Sequence, residues 1–217
     1  MTRSFTTLLF LFVFVTTALA GDKGLIEVTH QSEVLDQKKN YYVYVPEKRA
    51  PDERFPVLYL LHGAYADYRS WPSHSNVDEL AENYRMIMVF PDGSRFGWYL
   101  DSPRETESQY GTYIATELVD HIDRHFPTIA ERDSRGIMGL SMGGHGALLA
   151  AAKHPDVFGS ASSLSGILKL TNHPEHWAIS ARIGEYEENK EAWEANSVYE
   201  QADRFVDAGI RILFDCG

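Results

Sequence analysis

The stretch GIMGLSMGGHGALLAAAK, residues 136–153, decides the fold. Its first part, residues 136–140, is a short apolar run typical of a strand covered on both faces. Its second part, residues 142–153, is rich in alanine and leucine and predicts a helix. The pattern Gly-x-Ser-x-Gly, residues 139–143, therefore lies where a strand ends and a helix begins. A serine on such a sharp turn presents its hydroxyl above the sheet, so Ser141 is the candidate nucleophile.

Steric constraints explain why this pattern contains glycines. Gly139 and Gly143 flank the turn at positions where a side chain would collide with neighbouring backbone. Small residues after them, such as Gly146 and Ala147, allow the helix to pack closely on the sheet. A chance glycine-rich turn is the alternative interpretation, and the strand and helix on either side disfavour it.

Further short apolar runs accompany this unit on both sides. They predict strands near residues 56–61, 86–90, 160–164 and 210–214, and two antiparallel strands before them at 25–35 and 40–46. A helix is predicted at 112–126, where apolar residues share one face and Pro127 follows. Residues 166–205 do not alternate in this way and are predicted to form helical excursions over the strand ends. Alternating strands and helices predict an α/β fold with a mostly parallel sheet and helices on both faces.

The N-terminus has the features of a signal peptide. Arg3 precedes an apolar run, residues 8–15, and the small-x-small motif of residues 18–20 follows. The alternative, a membrane anchor, is disfavoured because this run is much shorter than the roughly 20 residues that span a bilayer. We expect cleavage after Ala20, one α/β domain over residues 21–217, export to the periplasm or the medium, and no membrane association after cleavage.

Charge and composition restrict the classes of partner that the chain could bind. The formal net charge of the 217 residues is −11, and loss of Arg3 with the leader makes it −12. An acidic surface repels phosphate backbones, so we expect no nucleic-acid partner. Cys216 is the only cysteine and is expected to be a buried apolar residue without an intramolecular disulfide. Neither a cofactor nor a metal is expected, and the oligomeric state cannot be read from the sequence.

A nucleophilic serine needs donors for the negative charge that develops on the attacked carbonyl oxygen. The segment Leu60-Leu61-His62-Gly63-Ala64 follows the first parallel strand and ends in a His-Gly loop. We therefore expect the backbone N–H groups of Ala64 and Met142 to form an oxyanion hole. Gly63 would permit close backbone approach, and His62 would orient the loop by hydrogen bonding. A role for His62 as the general base is disfavoured because it helps to build this loop.

These motifs resemble the esterase D-like branch of α/β-hydrolases, which includes S-formylglutathione hydrolases, feruloyl and acetyl esterases, and mycolyltransferases. The resemblance extends over about residues 25–217. It rests on the segments Tyr59–Gly63, Trp71, Pro91–Gly93, Gly97–Pro103, Gly139–Gly144 and His154–Phe158. It implies an α/β-hydrolase fold and a serine esterase that acts through an acyl-enzyme.

The resemblance also implies a catalytic acid and histidine located after the last strand. The motif Asp215-Cys216-Gly217 stands just before the family's acid, so the chain is expected to lack the acid and histidine loops. Asp215 is the remaining candidate acid and is interpreted as structural. Without an acid and a base, the chain is expected to be nearly inactive.

The other histidines are poor candidates for the base or for metal ligands. His145 follows Ser141 by four residues, but its helix runs away from the pocket, which indicates a packing role. His121 and His125 share a helix face at a spacing that suits a metal, yet no third ligand is evident, and a solvated face is the favoured interpretation. His154, at a helix end before Pro155, is explained by hydrogen bonding to free carbonyls.

Two aromatic residues, Trp98 and Tyr99, follow the strand that ends near residue 90, on the side where ligands bind in α/β sheets. They could line an acyl or aromatic-ester pocket, or they could hold down their own loop. Both interpretations require aromatic residues, and the sequence favours neither.

The leading hypothesis is an exported carboxylic-ester hydrolase that acts on a small-molecule or polysaccharide-linked ester. The first alternative is an acyltransferase that uses Ser141 with a sugar or lipid hydroxyl as acceptor. The second alternative is a non-catalytic truncated homologue.

Overall fold

The computed structural model describes residues 19–20 and 24–216, and a mixed β-sheet lies at its centre. The strands of the described part are β1 Leu19–Ala20, β2 Leu25–Ser32, β3 Gln37–Tyr44, β4 Val57–Leu61, β5 Ile87–Pro91, β6 Arg135–Leu140, β7 Ser160–Leu164 and β8 Arg211–Asp215. They are arranged in the order β1-β2-β3-β5-β4-β6-β7-β8. In this order, the first three neighbouring pairs, β1-β2, β2-β3 and β3-β5, are antiparallel. The other four, β5-β4, β4-β6, β6-β7 and β7-β8, are parallel. The predicted mostly parallel α/β sheet is confirmed.

Helices connect the parallel strands. They are α1 Ser70–His74, α2 Val77–Tyr84, α3 Tyr110–Thr112, α4 Val119–His125, α5 Met142–Lys153, α6 Ile179–Ile183, α7 Lys190–Ala195 and α8 Ala202–Ala208. A π-helical segment, Tyr113–Leu118, joins α3 to α4, so the helix predicted at 112–126 exists but contains one wide turn. Residues 166–205 form short helical pieces. They include α6, α7, one 3₁₀ turn before α6 and another between α6 and α7.

The predicted strand 25–35 ends earlier, at Ser32. The cause is Glu117, whose carboxylate accepts hydrogen bonds from the backbone N–H groups of Glu33 and Val34 and from the Ser32 hydroxyl. Leu35 is buried, which explains why its apolar character suggested a longer strand. The chain reverses here, and β3 begins at Gln37 instead of residue 40.

The core lies where the apolar runs indicated. Every residue of β5 is buried, and four of the five in β4 are buried, as expected of strands covered on both faces. Helix α5 buries all of its residues from Met142 to Ala152. The sheet therefore holds α5, and with it the turn that carries Ser141, in a fixed position.

Strand β8 differs from the other parallel strands. All five of its residues are exposed, and within the described part of the chain it is paired on one side only. Leu213 and Phe214 are each about two-thirds exposed. An edge of this kind can pair with another strand.

The predicted signal peptide lies outside the described residues, apart from the short strand Leu19–Ala20. Cleavage after Ala20 stays a prediction. Within the described ranges, no helix combines the length and the apolar character needed to cross a bilayer.

A buried ion pair joins α4 to β6. The Arg135 guanidinium lies 2.6 Å from the Asp123 carboxylate, and both side chains are largely buried. We expect Asp123→Asn to lower the free energy of unfolding by about 3 kcal/mol, because the arginine charge would stay buried without its partner. Urea denaturation measures this change. Asp120→Asn is the control, since Asp120 is exposed on the same helix and should change stability by less than about 0.5 kcal/mol. Equal effects of the two substitutions would contradict the importance of the pair.

Candidate active site

Ser141 lies on a strained turn between β6 and α5. Its backbone angles are φ 54° and ψ −115°, in a region that residues other than glycine rarely occupy. Two hydrogen bonds fix the turn: the Ser141 N–H donates to the Leu164 carbonyl at 2.8 Å, and its own carbonyl accepts from the His145 N–H at 3.0 Å. The turn is thereby anchored to β7 on one side and to α5 on the other.

The two glycines of the motif allow this turn to form. A Cβ atom on Gly139 would lie 2.3 Å from the carbonyl carbon and oxygen of Gly143. A Cβ on Gly143 would lie 2.3 Å from the carbonyl oxygen of Leu61. Both contacts involve backbone atoms that cannot move away, so neither position accepts a side chain. Strand β4, the turn and α5 consequently touch backbone to backbone.

The His-Gly loop after β4 faces Ser141. A Cβ built on Gly63 would lie 3.7 Å from the Cβ of Ser141 and 3.4 Å from the Leu140 carbonyl oxygen. The Ala64 N–H, next along this loop, has no acceptor among the described residues. Met142 is the first residue of α5, where a helix leaves its N–H groups without an intrahelical acceptor. Two free amides therefore lie on the segments that meet at Ser141.

His62 is buried and uses both ring nitrogens. Its Nε2 accepts a hydrogen bond of 2.9 Å from the Gly93 N–H, so Nδ1 carries the proton and donates to the Gly63 carbonyl at 2.8 Å. The Tyr99 hydroxyl donates to the His62 carbonyl at 3.1 Å. His62 thus connects the loop after β4 to the loop after β5, and neither of its nitrogens is free to act as a base.

Asp92 and Lys39 extend this connection. Lys39 Nζ lies 2.8 Å from Asp92 Oδ2, and His62 Nε2 lies 3.7 Å from Asp92 Oδ1. Burial acts to raise the pKa of Asp92, but the charge of Lys39 and the hydrogen bonds from Lys39 and the Ser94 N–H outweigh it and hold that pKa below its usual range. The sequence interpretation did not identify Lys39, because it lies on β3, 53 residues from its partner.

Trp98 and Tyr99 are both about 1% exposed. Trp98 donates a hydrogen bond to the Trp177 carbonyl and packs edge-on against the His145 ring. The Tyr99 ring occupies the space beside Gly93 and Gly146 where a Cβ would otherwise fit. In this structure the two rings hold their loop against α5 and present almost no surface to a ligand.

The remaining histidines do not reach Ser141. His145 is fully buried, with Nδ1 hydrogen-bonded to the Ile167 carbonyl at 3.0 Å. The rings of His121 and His125 are in tilted contact, and His30 of β2 contacts His121 in the same way. Among residues 24–216, no group of three or more His, Cys, Asp or Glu side chains is arranged to hold a metal ion.

The Ser141 hydroxyl has no hydrogen-bond partner among the described residues. Asp215 is exposed at the end of β8, and its backbone carbonyl accepts from the Ser165 N–H. Cys216 is exposed, and the expectation that it is buried is therefore wrong. Its position after the exposed strand β8 explains the difference. The described site consists of the candidate nucleophile Ser141 and two free amides.

Comparison with known proteins identifies the family of the chain. The family model described as "Putative esterase" matches residues 32–217. The chain belongs to this esterase family. Its structure is similar to an S-formylglutathione hydrolase from Agrobacterium tumefaciens, with a TM-score of 0.77, 28% identity, and coverage of 91% of this chain and 77% of that one. The predicted α/β-hydrolase fold and the predicted branch are confirmed.

Two further solved structures share the fold. A fluorophosphonate-binding serine hydrolase of Staphylococcus aureus has a TM-score of 0.76 and 23% identity, with coverage of 89% of this chain and 78% of that one. A ferulic acid esterase has a TM-score of 0.66 and 23% identity, with coverage of 88% and 89%. At these identities the likeness concerns the fold alone.

The backbone contact at Gly143 generates a stability prediction. We expect Gly143→Ala to abolish folding or to lower the melting temperature by more than 10 °C, because the new methyl group would overlap the Leu61 carbonyl. Gly63→Ala is the control, since its Cβ would find ordinary contact distances in the same site. Calorimetry measures both variants. Equal tolerance of the two substitutions would show that the turn is not packed as described.

The buried imidazole of His145 generates a pH prediction. Burial lowers the pKa of His145 to about 4, so the folded chain binds fewer protons here than the unfolded chain below pH 6.5. The free energy of unfolding should therefore fall as the pH decreases from 6.5 to 4. Urea denaturation at several pH values measures the slope, and His145→Gln should reduce it. An unchanged slope in this variant would show that His145 does not titrate in this way.

Proposed function

We propose that this esterase-family chain is a serine carboxylic-ester hydrolase that acts through an acyl-enzyme on Ser141. The observation that supports it best is the strained turn, which presents the Ser141 hydroxyl beside a loop that carries free backbone amides. Such a turn costs conformational energy, and strain of this kind is concentrated at functional sites. A structural serine would have no need of it.

In the proposed reaction, the Ser141 Oγ attacks the carbonyl carbon of the ester and gives up its proton to water, since no described side chain contacts the hydroxyl. The carbonyl oxygen becomes negatively charged and is held by the N–H groups of Ala64 and Met142. The C–O bond to the alcohol then breaks, and the alcohol leaves with a proton. Water attacks the acyl-serine in the second half of the cycle and releases the carboxylic acid.

The roles of the other residues follow from their contacts. His62 and Gly63 position the Ala64 amide, and Gly139 and Gly143 position the Met142 amide. Trp98 and Tyr99 support the site from behind and are not proposed as walls of the pocket. No cofactor or metal takes part in the proposed reaction.

The level of esterase activity of this chain is a separate proposal. Because no described histidine or carboxylate contacts the Ser141 hydroxyl, we propose that this chain turns over esters very slowly. Loss of the base in a serine protease lowers turnover on the order of a million-fold. Export and an ester substrate on a small molecule or polysaccharide also stay proposals; the leader pattern of residues 1–20 supports export, and export favours such a substrate.

Fluorophosphonate labelling tests the nucleophile. On prolonged incubation we expect slow, stoichiometric labelling of the full chain at Ser141, located by peptide mass spectrometry. Ser141→Ala should remove the label, and Ser73→Ala, which alters an exposed serine on α1, should not. Labelling that persists in Ser141→Ala would overturn the assignment.

Turnover of p-nitrophenyl acetate tests the activity level of the same preparations. We expect a rate close to that of Ser141→Ala. A rate typical of esterases would overturn the proposal of slow turnover and leave the nucleophile assignment intact. Product analysis with an added acceptor alcohol then separates hydrolysis from acyl transfer, because a transferase would form a new ester.

A further inference from the structure

Strand β8 leaves one edge of the sheet open. It pairs with β7 on one side, and no strand of the described residues pairs with its other side. All of its residues are exposed, and the exposed fractions of the apolar residues Leu213 and Phe214 are 66% and 68%. An open edge that carries apolar side chains is a template for pairing with a further strand.

The backbone groups directed at the open edge are those of Ile212 and Phe214. The Arg211 N–H and the Asp215 carbonyl are both hydrogen-bonded to backbone at the two ends of β7. Successive residues of a paired strand direct their N–H and C=O groups to opposite sides, so the residues between them face the other way. Ile212 and Phe214 therefore each offer a donor and an acceptor to a strand that approaches this edge.

The sequence of β8 is complementary to itself when a second copy approaches in the antiparallel direction. If Leu213 lies opposite Leu213 of the second copy, Ile212 lies opposite Phe214. These are the residues with outward backbone groups, and each such pair exchanges two hydrogen bonds. In the same register, Arg211 lies opposite Asp215 at both ends of the pairing. Such pairs have a spacing of about 4.5 Å between Cα atoms, which brings opposite charges together.

Other registers lose this complementarity. A shift by two residues keeps the hydrogen-bonding pattern but places Arg211 or Asp215 opposite Leu213, so the charges no longer meet. A shift by one residue brings outward backbone groups opposite inward ones. Parallel pairing brings like charges together, which is destabilising. The charges of β8 thus favour one antiparallel register.

The two charged side chains are available for this pairing, since both residues are exposed. Arg211 donates one hydrogen bond of 3.2 Å to the Asp133 carbonyl, and a guanidinium group has further N–H donors. The Asp215 carboxylate has no hydrogen bond or ion pair with a side chain among the described residues.

We propose that β8 is the interaction surface for a second copy of this chain, which adds its own β8 in the antiparallel direction about a twofold axis at Leu213. Both copies use the same surface, so the contact closes as a dimer and does not continue into a fibre. One strand from each copy makes a small interface, of the size found in weak and transient complexes. The dimer therefore depends on concentration, and it does not depend on the activity of Ser141.

Sedimentation velocity of the full chain over a range of concentrations tests the proposal. A salt concentration of about 0.15 M screens the repulsion between two acidic chains beyond about 8 Å. We expect a shift from monomer to dimer with increasing concentration. Leu213→Lys places two like charges at the twofold axis and should raise the dissociation constant about tenfold or more. Tyr84→Lys, at an equally exposed position on α2, is the control and should leave it unchanged.

Charge reversal tests the antiparallel register. Arg211→Asp alone, or Asp215→Arg alone, places like charges opposite each other at both ends of the pairing, so each variant by itself should be largely monomeric. A mixture of the two variants restores opposite charges at both ends and should form a one-to-one dimer. Native mass spectrometry distinguishes this mixed dimer by its mass.

A chain that stays monomeric at all concentrations would overturn the proposal, because the edge is then open or covered from within the same chain. Dimers that survive Leu213→Lys would show that the contact lies elsewhere, and a mixture of the charge variants that does not associate would contradict the register. Circular dichroism melting establishes that each variant is folded, and Phe214→Lys replaces Leu213→Lys if the latter is not.

Discussion

The site depends on the close backbone contact of β4, the Ser141 turn and α5. Gly139, Gly143 and the Leu61 carbonyl approach so closely that no side chain fits between them. This contact holds Ser141 at a positive φ, and the hydrogen bond from its N–H to the Leu164 carbonyl fixes the turn to β7. A hydroxyl held in this way needs no reorganisation to act as the proposed nucleophile, because the sheet has already placed it.

The loop opposite Ser141 is held by a different kind of interaction. His62 bridges the loops after β4 and β5 through two hydrogen bonds to backbone, and the ion pair of Lys39 with Asp92 lies beside it. Strand β3 supplies Lys39 from its buried face. Polar groups buried at a site usually perform such positioning, since an unpaired group there would be costly.

Local features of the sequence were sufficient to predict the turn. The apolar runs that flank Ser141 and the glycines at fixed spacing identify a strand, a bend and a helix without reference to the rest of the chain. The parallel strands were predicted to within one residue for the same reason, since each contains a short apolar run. The early end of β2 was missed because its cause, Glu117, lies on a distant helix.

Contacts between distant segments were not predictable. His30 meets His121 across more than ninety residues, and no spacing in the sequence indicates it. The orientation of Trp98 and Tyr99 was equally open, because a pocket wall and a loop anchor use the same residue types. The structure shows that they anchor the loop, because Tyr99 lies in the gap beside Gly146 and Trp98 packs against His145.

The central claim is that Ser141 and two backbone amides form one catalytic unit. A crystal structure of the chain after phosphonylation measures it most directly. The account predicts a covalent bond from Ser141 Oγ to phosphorus, with the phosphoryl oxygen about 2.7 to 3.1 Å from the backbone nitrogens of both Ala64 and Met142. A phosphoryl oxygen directed into solvent, with both amides beyond hydrogen-bond distance, would contradict it.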